Sequence, residues 1–158
     1  MGDPKFQRRR YETPKKPWDL IRMTEENTLV KKYGLKSKKE IWKAEASLRK
    51  YRRMARLLLG RNDEQTLKER ELILARLRNL GILGNNSEID DVLNLSVESF
   101  LGRRLQTLIH LNGLAKSPKQ ARQMIVHGHV LVNGRGVTVP SYQVCRNDTI
   151  SLRDGGEI

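Results

Sequence analysis

The chain has 158 residues, of which 37% are hydrophobic and 31% charged, and it carries a formal net charge of +13. That length accommodates small cores only, and the excess of Lys and Arg goes beyond what solubility requires, so a polyanionic partner is expected. No apolar run approaches the ~20 residues of a spanning helix and the start lacks a signal-peptide apolar core, which disfavours a membrane protein and makes a cytoplasmic location the expectation.

The charge is unevenly distributed. Residues 1–61 hold 19 Lys+Arg against 7 Asp+Glu, residues 62–102 hold 4 against 8, and residues 103–158 hold 8 against 3. Two basic segments thus flank an acidic one, as expected of two basic surfaces separated by a structural or protein-facing section. Residues 1–22 read as an extended basic arm. Pro4, Pro14 and Pro17 interrupt helix formation, Arg8, Arg9, Arg10, Lys15 and Lys16 supply cations, and Phe6, Tyr11 and Trp18 are interleaved as stacking or anchoring groups.

Residues 23–95 read as a helical domain. Thr24 with Glu25 and Glu26 opens a short helix closed by Gly34, and Ser37-Lys38-Lys39-Glu40 forms a capping box for the longest helix. In that helix Ile41, Ala44, Leu48, Tyr51, Ala55 and Leu58 recur every three or four residues up to a Gly60 cap. Arg49, Arg52, Arg53 and Arg56 line another face. Like-charge pairs at this spacing cost ~0.2–0.5 kcal/mol each, so a polyanionic partner is the economical explanation, and the caps at both ends with the small Ala44 and Ala55 on the apolar face disfavour a calmodulin-type or membrane helix. A helix over 63–80 is expected to pack Leu67 and Leu74 on the apolar stripe, with Asp63 and Glu64 at its start and Arg76 and Arg78 near its end. Gly84-Asn85-Asn86-Ser87 reads as a linker, followed by a turn of helix at 89–93 and a Ser96 N-cap.

Residues 96–158 read as a separate module with its core at 103–153. A helix over 98–112 places Leu101, Leu105, Leu108 and Ile109 inward and Arg103, Gln106, Thr107 and His110 opposite. The next helix starts with Ser117 as N-cap, Pro118 and a Gln120 capping box, and runs to Gly128; Ala121, Met124 and Ile125 face inward and leave Lys119, Arg122 and Gln123 toward solvent or ligand. Val130–Val132, Val137–Val139 and Thr149–Leu152 read as strands, with an Asn133-Gly134 turn after the first. Cys145 is the sole cysteine, which excludes an intrachain disulfide or multi-thiolate zinc site, and it is expected to be buried. His127 and His129 lack a carboxylate or thiol at ligand spacing, so packing or an RNA contact is expected and no metal. The fold class is therefore α+β, a helical domain with an extended arm followed by two helices packed on a short-stranded sheet.

The stretches Phe100-Leu101-Gly102-Arg103-Arg104-Leu105-Gln106-Thr107, Ser117-Pro118-Lys119-Gln120-Ala121-Arg122 and Gly128-His129-Val130-Leu131-Val132-Asn133-Gly134 resemble the S-four RNA-binding domain. With the arm, the arginine-faced helix and the acidic connection in order before them, nearly the whole chain resembles the small-subunit ribosomal protein S-four family in its archaeal and eukaryotic branch. The absence of an N-terminal cysteine cluster sets it apart from zinc-holding bacterial members. The resemblance implies direct, early binding of small-subunit (16S-type) ribosomal RNA, nucleation of assembly of the subunit body and, with neighbouring protein S-five, an influence on translational accuracy. RNA contacts are expected from Arg8, Arg9, Arg10, Lys15, Lys16, Arg49, Arg52, Arg53, Arg56, Arg103, Arg104, Lys116, Lys119, Arg122, His129, Asn133 and Arg135.

The same module is appended to pseudouridine synthases, RNA methyltransferases and tyrosyl-tRNA synthetases. Here the 102 residues ahead of it contain no histidine, cysteine or nucleotide loop, so neither an enzyme nor a cofactor is expected. No DNA partner is expected. The remaining alternative is a stand-alone RNA-binding factor acting on ribosomal particles or other structured RNA.

Overall fold

The computed structural model describes residues 9–61 and 63–153. The chain is α+β: among the described residues seven helices, α1 Leu20–Tyr33, α2 Lys38–Leu59, α3 Glu64–Asn79, α4 Asp91–Asn94, α5 Val97–Gly102, α6 Leu105–Leu111 and α7 Pro118–Val126, accompany strands β1 Val130–Val132, β2 Arg135–Gly136 and β3 Ile150–Leu152. The sheet has the order β2-β1-β3 and is antiparallel throughout, with Leu131 opposite Gly136 on one side and Ser151 on the other.

Three apolar clusters organise these elements. Leu48, Ala55 and Leu58 of α2 meet Leu77 of α3, Val92 of α4 and Phe100 of α5, and the Tyr51 ring stacks on Phe100 with centroids 5.7 Å apart. At the start of α2, Ile41 joins Tyr33, Leu35 and Leu101. A separate cluster holds Leu105, Ile109, Ala121, Met124, Ile125, Val130, Val132 and Val144. The repeat expected along α2 thus serves two cores, one at its first turn and one along the rest, because a helix of 22 residues, roughly 33 Å long, reaches past a single small core.

Several local expectations are corrected. The first helix begins at Leu20, since Asp19 accepts from the Ile21 amide and acts as N-cap ahead of the Thr24 start read from sequence. Ser37 makes no side-chain cap bond; Glu40 accepts the Lys36 amide at 3.1 Å instead. The single helix expected over 98–112 is two helices. Arg104 is extended (φ −79°, ψ 145°), the Leu105 amide bonds the Tyr142 carbonyl at 2.8 Å, and Arg104 bridges to Gln143. This returning segment captures the backbone at a point where Gly102, a poor helix former, weakens continuation. Leu101 consequently enters one core and Leu105 with Ile109 another, while Gln106, expected outward, is buried.

Leu67 is 48% exposed, so α3 turns Ile73, Leu74 and Leu77 to the core instead, with Thr66 also buried. Residues 137–139 form no strand; the pairing after the Asn133-Gly134 turn ends at Gly136, with one further bond from the Val137 amide to Val130. Cys145 is exposed and its neighbour Val144 is buried, because Cys145 opens a turn in which its amide donates to Asp148. The 84–87 segment is tied down. Arg78 bonds the Ser87 carbonyl, and Arg146 reaches Asn85 with its side chain and the Asn79 carbonyl with its amide.

Candidate nucleic-acid interface

Arginine in this chain serves two distinct purposes. Arg53 and Arg56 are exposed on the outward side of α2, as its apolar stripe requires. Arg49, also exposed, pairs with Glu12 of the arm and lies 3.9 Å from Glu45. Arg52 is half-buried and donates to the Leu95 carbonyl at 2.7 Å, fixing the chain entering α5. The expected four-arginine face therefore presents three guanidinium groups and uses the fourth internally.

The arm lies against α2. The Tyr11 ring packs near Trp42 with centroids 6.0 Å apart, and Arg9, Lys15, Lys16 and Arg49 gather with Arg22 around a cleft of about 680 Å³. Arg8 and Phe6 lie outside the described residues. Beneath this surface Glu26, only 3% exposed, accepts from Trp42 Nε1 at 3.0 Å and pairs with Arg22 and Lys38. Burial pushes its carboxyl pKa up, but the Trp42, Lys38 and Arg22 contacts outweigh it and hold the group below the ordinary carboxylate value.

Between α2 and the module the arginines turn inward. Arg104 is 7% exposed and pairs with Glu40, and Arg122 pairs with the other Glu40 oxygen at 2.7 Å while also donating to the Gly34 carbonyl at 3.3 Å. Burial raises the Glu40 pKa, yet Arg122 and Arg104 together bring it below the usual range. Gln106 Nε2 lies within hydrogen-bonding distance of the carbonyls of Tyr33, Gly34 and Pro118, so one amide group touches three segments. Gly34 has φ +59°, and a Cβ there would stand 2.7 Å from Pro118 Cβ. Glycine is required by both backbone conformation and the close approach of the halves. Arg103 donates to the Leu80 carbonyl at 2.6 Å and the Val144 carbonyl at 3.1 Å, closing the same joint elsewhere.

Arg103, Arg104 and Arg122 are thus members of a packed joint and do not stand on the open phosphate-facing surface expected from helix periodicity. A cleft of about 510 Å³ borders this joint and brings Arg10 of the arm beside Lys43, Arg104 and Arg122. Sequence reasoning misses Lys43 and Glu40 as site residues; their spacing of three along α2 places them on one face, but only contacts 64 and 82 residues apart reveal what that face meets.

The module's remaining candidates divide similarly. Lys116 and Lys119 are exposed at the start of α7, which is set by Ser117 accepting from the Gln120 amide and Gln120 accepting from the Lys116 amide. Arg135 is exposed just past the hairpin tip, where Asn133 and Gly134 both have positive φ. The Asn133 side chain is already bonded to Asp148 and Thr149, so it shapes the tip. His129 is half-buried beside His127, with ring centroids 6.2 Å apart.

Exposed cations thus stand on the arm, on α2, at the start of α7 and on the hairpin, while Arg104 and Arg122 tie α2 to the module through Glu40. Clustered guanidinium and ammonium groups of this kind neutralise phosphate oxygens, and a fixed spacing between clusters favours a folded RNA over a flexible one.

Comparison with known proteins gives the family. The S4 domain family matches residues 103–150. A relative from Methanothermobacter thermautotrophicus, small ribosomal subunit protein uS4, is 53% identical over 94% of this chain and 86% of its own length. Proteins of the same name from Thermoplasma volcanium and Picrophilus torridus are 50% and 47% identical, over 100% and 91% of this chain and 82% and 80% of their own lengths. At that identity, sustained from the arm through the sheet, the chain belongs to the small ribosomal subunit protein uS4 family.

Proposed function

We propose that the chain is a structural, non-enzymatic constituent of the small ribosomal subunit in the cytoplasm, binding small-subunit ribosomal RNA directly. The observation that carries this reading is the near-full-length identity to proteins named as small-subunit components. The exposed cations of the arm, α2, α7 and the hairpin supply the physical means. Within this reading Arg9, Arg10, Lys15, Lys16, Arg49, Arg53, Arg56, Lys116, Lys119 and Arg135 contact phosphates, whereas Arg52, Arg103, Arg104, Arg122 and Asn133 hold the shape that positions them.

A protein that spans two RNA surfaces as one body favours the folded state of the RNA between them, because each contact raises the effective concentration of the other. We accordingly assign it a role in nucleating assembly of the subunit body, and place protein S-five as a neighbour through which it influences translational accuracy. The division of the chain at 1–22, 23–95 and 96–158 is proposed as the arm, the helical RNA-binding part and the S4 module. The stand-alone-factor alternative is not favoured, since the relatives named above are all subunit proteins.

Washing purified small subunits in high salt tests this. Stoichiometric retention of the tagged chain on the particle is expected; release into the supernatant at moderate salt, or enrichment on the large subunit, overturns the assignment.

A further inference from the structure

One concavity differs from the basic clefts in chemistry. Gln120, Gln123, Met124, His127 and His129 line a notch of about 230 Å³, and no Lys, Arg, Asp or Glu is among them. Its shape follows from the exit of α7. His127 caps the helix, Gly128 turns the chain at φ +80°, and the His129 amide returns to the Met124 carbonyl at 3.0 Å. That reversal sets the two imidazoles nearly parallel, 21° apart in plane. Met124 is buried and forms the floor. Gln120 Oε1 accepts from the Lys116 amide, while Gln123 and His127 are exposed and their side chains make no hydrogen bond among the described residues.

A notch without a lysine or arginine has little to hold a phosphate with. Metal ligation is also unsupported, because no group of three or more His, Cys, Asp or Glu side chains occurs among the described residues. Flat imidazoles offer a stacking face, and a glutamine amide offers a donor and an acceptor side by side, the pattern that pairs with adenine N6 and N7. We propose that this notch takes one unpaired nucleobase of the bound RNA, adenine in preference to the others, with His127 and His129 stacking and Gln123 reading the base edge. The proposal rests on the RNA-binding function above and adds a base-reading position to a surface otherwise built for phosphates.

The test uses the full-length protein labelled at methionine methyls and histidine rings, titrated by NMR with AMP, UMP and ribose 5-phosphate. AMP is expected to shift Met124, His127 and His129 saturably, UMP to do so more weakly, and ribose 5-phosphate to leave them in place. Gln123→Ala, at an exposed position, is expected to weaken AMP at least about 5-fold with the spectrum otherwise unchanged. In parallel it should weaken small-subunit RNA binding without altering the salt slope, since no charge is removed. An equal response to ribose 5-phosphate, no response to AMP, or an AMP response untouched by Gln123→Ala overturns the base site. If RNA binding is normal while AMP is silent, only this proposal falls; if AMP binds as expected but ribosomal RNA does not, the failure belongs to the function proposed above.

Discussion

The joint between α2 and the module and the outward face of α2 are both rich in arginine, yet the same side chain has opposite consequences in the two places. At the joint Arg104 and Arg122 share the single carboxylate of Glu40 and are largely withdrawn from water. On the outward face Arg53 and Arg56 have no carboxylate within ion-pair distance among the described residues and remain hydrated. A paired, desolvated charge is costly to orphan, whereas a solvated one is cheap to remove, so stability belongs to the first region and affinity for a polyanion to the second.

The largest effect separating them is expected from Glu40→Ala, which leaves two guanidinium groups at the joint without their counterion and should cost about 3–5 kcal/mol. Chemical denaturation checks it, and a loss under about 1 kcal/mol would show that water already screens the pair. The same carboxylate gives a pH dependence. Its folded pKa is depressed, so its contribution is fully present above the unfolded carboxylate pKa, near 4.3, and is lost as pH falls through the lower folded value. Glu26 acts in the same direction. Acid unfolding of the wild type should therefore begin below about pH 5, and Glu40→Gln, already weakened, should show a shallower fall over that window.

Glycines sharpen the comparison next. Gly34 and Gly128 both adopt positive φ, but a Cβ at Gly34 meets Pro118 across the joint while one at Gly128 meets nothing within 4 Å. Gly34→Ala is expected to cost about 2–4 kcal/mol from conformation plus overlap, and Gly128→Ala about 1–2 kcal/mol from conformation alone. Thermal melts of the two variants side by side measure the overlap as their difference. Equal losses would mean that the halves part easily enough to admit a methyl group.

Legibility in the sequence follows the range of the interaction. The start of α7, the Asn133-Gly134 turn and the Gly128 helix exit depend on residues within four or five positions of each other, and each is found where its signals stand. The apolar repeat of α2 also reads directly. What does not read is any feature decided from across the joint: the break at Arg104, made by Tyr142 and Gln143; the burial of Gln106, made by Tyr33, Gly34 and Pro118; and the inward turn of Arg122. In each case a polar residue on a helix has two satisfactory surroundings, water or a distant partner, and periodicity does not distinguish them. Cys145 illustrates the converse error: a small apolar residue next to a strand is expected inside, but the adjacent Val144 occupies that place.

The smallest effect on stability should come from the outward face, and there the readout changes. Arg53→Gln with Arg56→Gln removes two exposed charges from a helix whose positive groups repel one another, so unfolding free energy should move by no more than about 0.5 kcal/mol. RNA affinity should respond much more. Removing one cation from a phosphate lowers the steepness of log K against log salt by roughly 0.7–0.9, so the double substitution should flatten the slope by roughly 1.4–1.8. Arg104→Met is the counterpart: it lowers stability, and under conditions where the variant remains folded the slope should stay near that of the wild type, because Arg104 is paired with Glu40 and does not face solvent. A slope that falls as far for Arg104→Met as for the outward pair would mean that RNA displaces Glu40 and opens the joint on binding, and that the two regions exchange roles once the polyanion arrives.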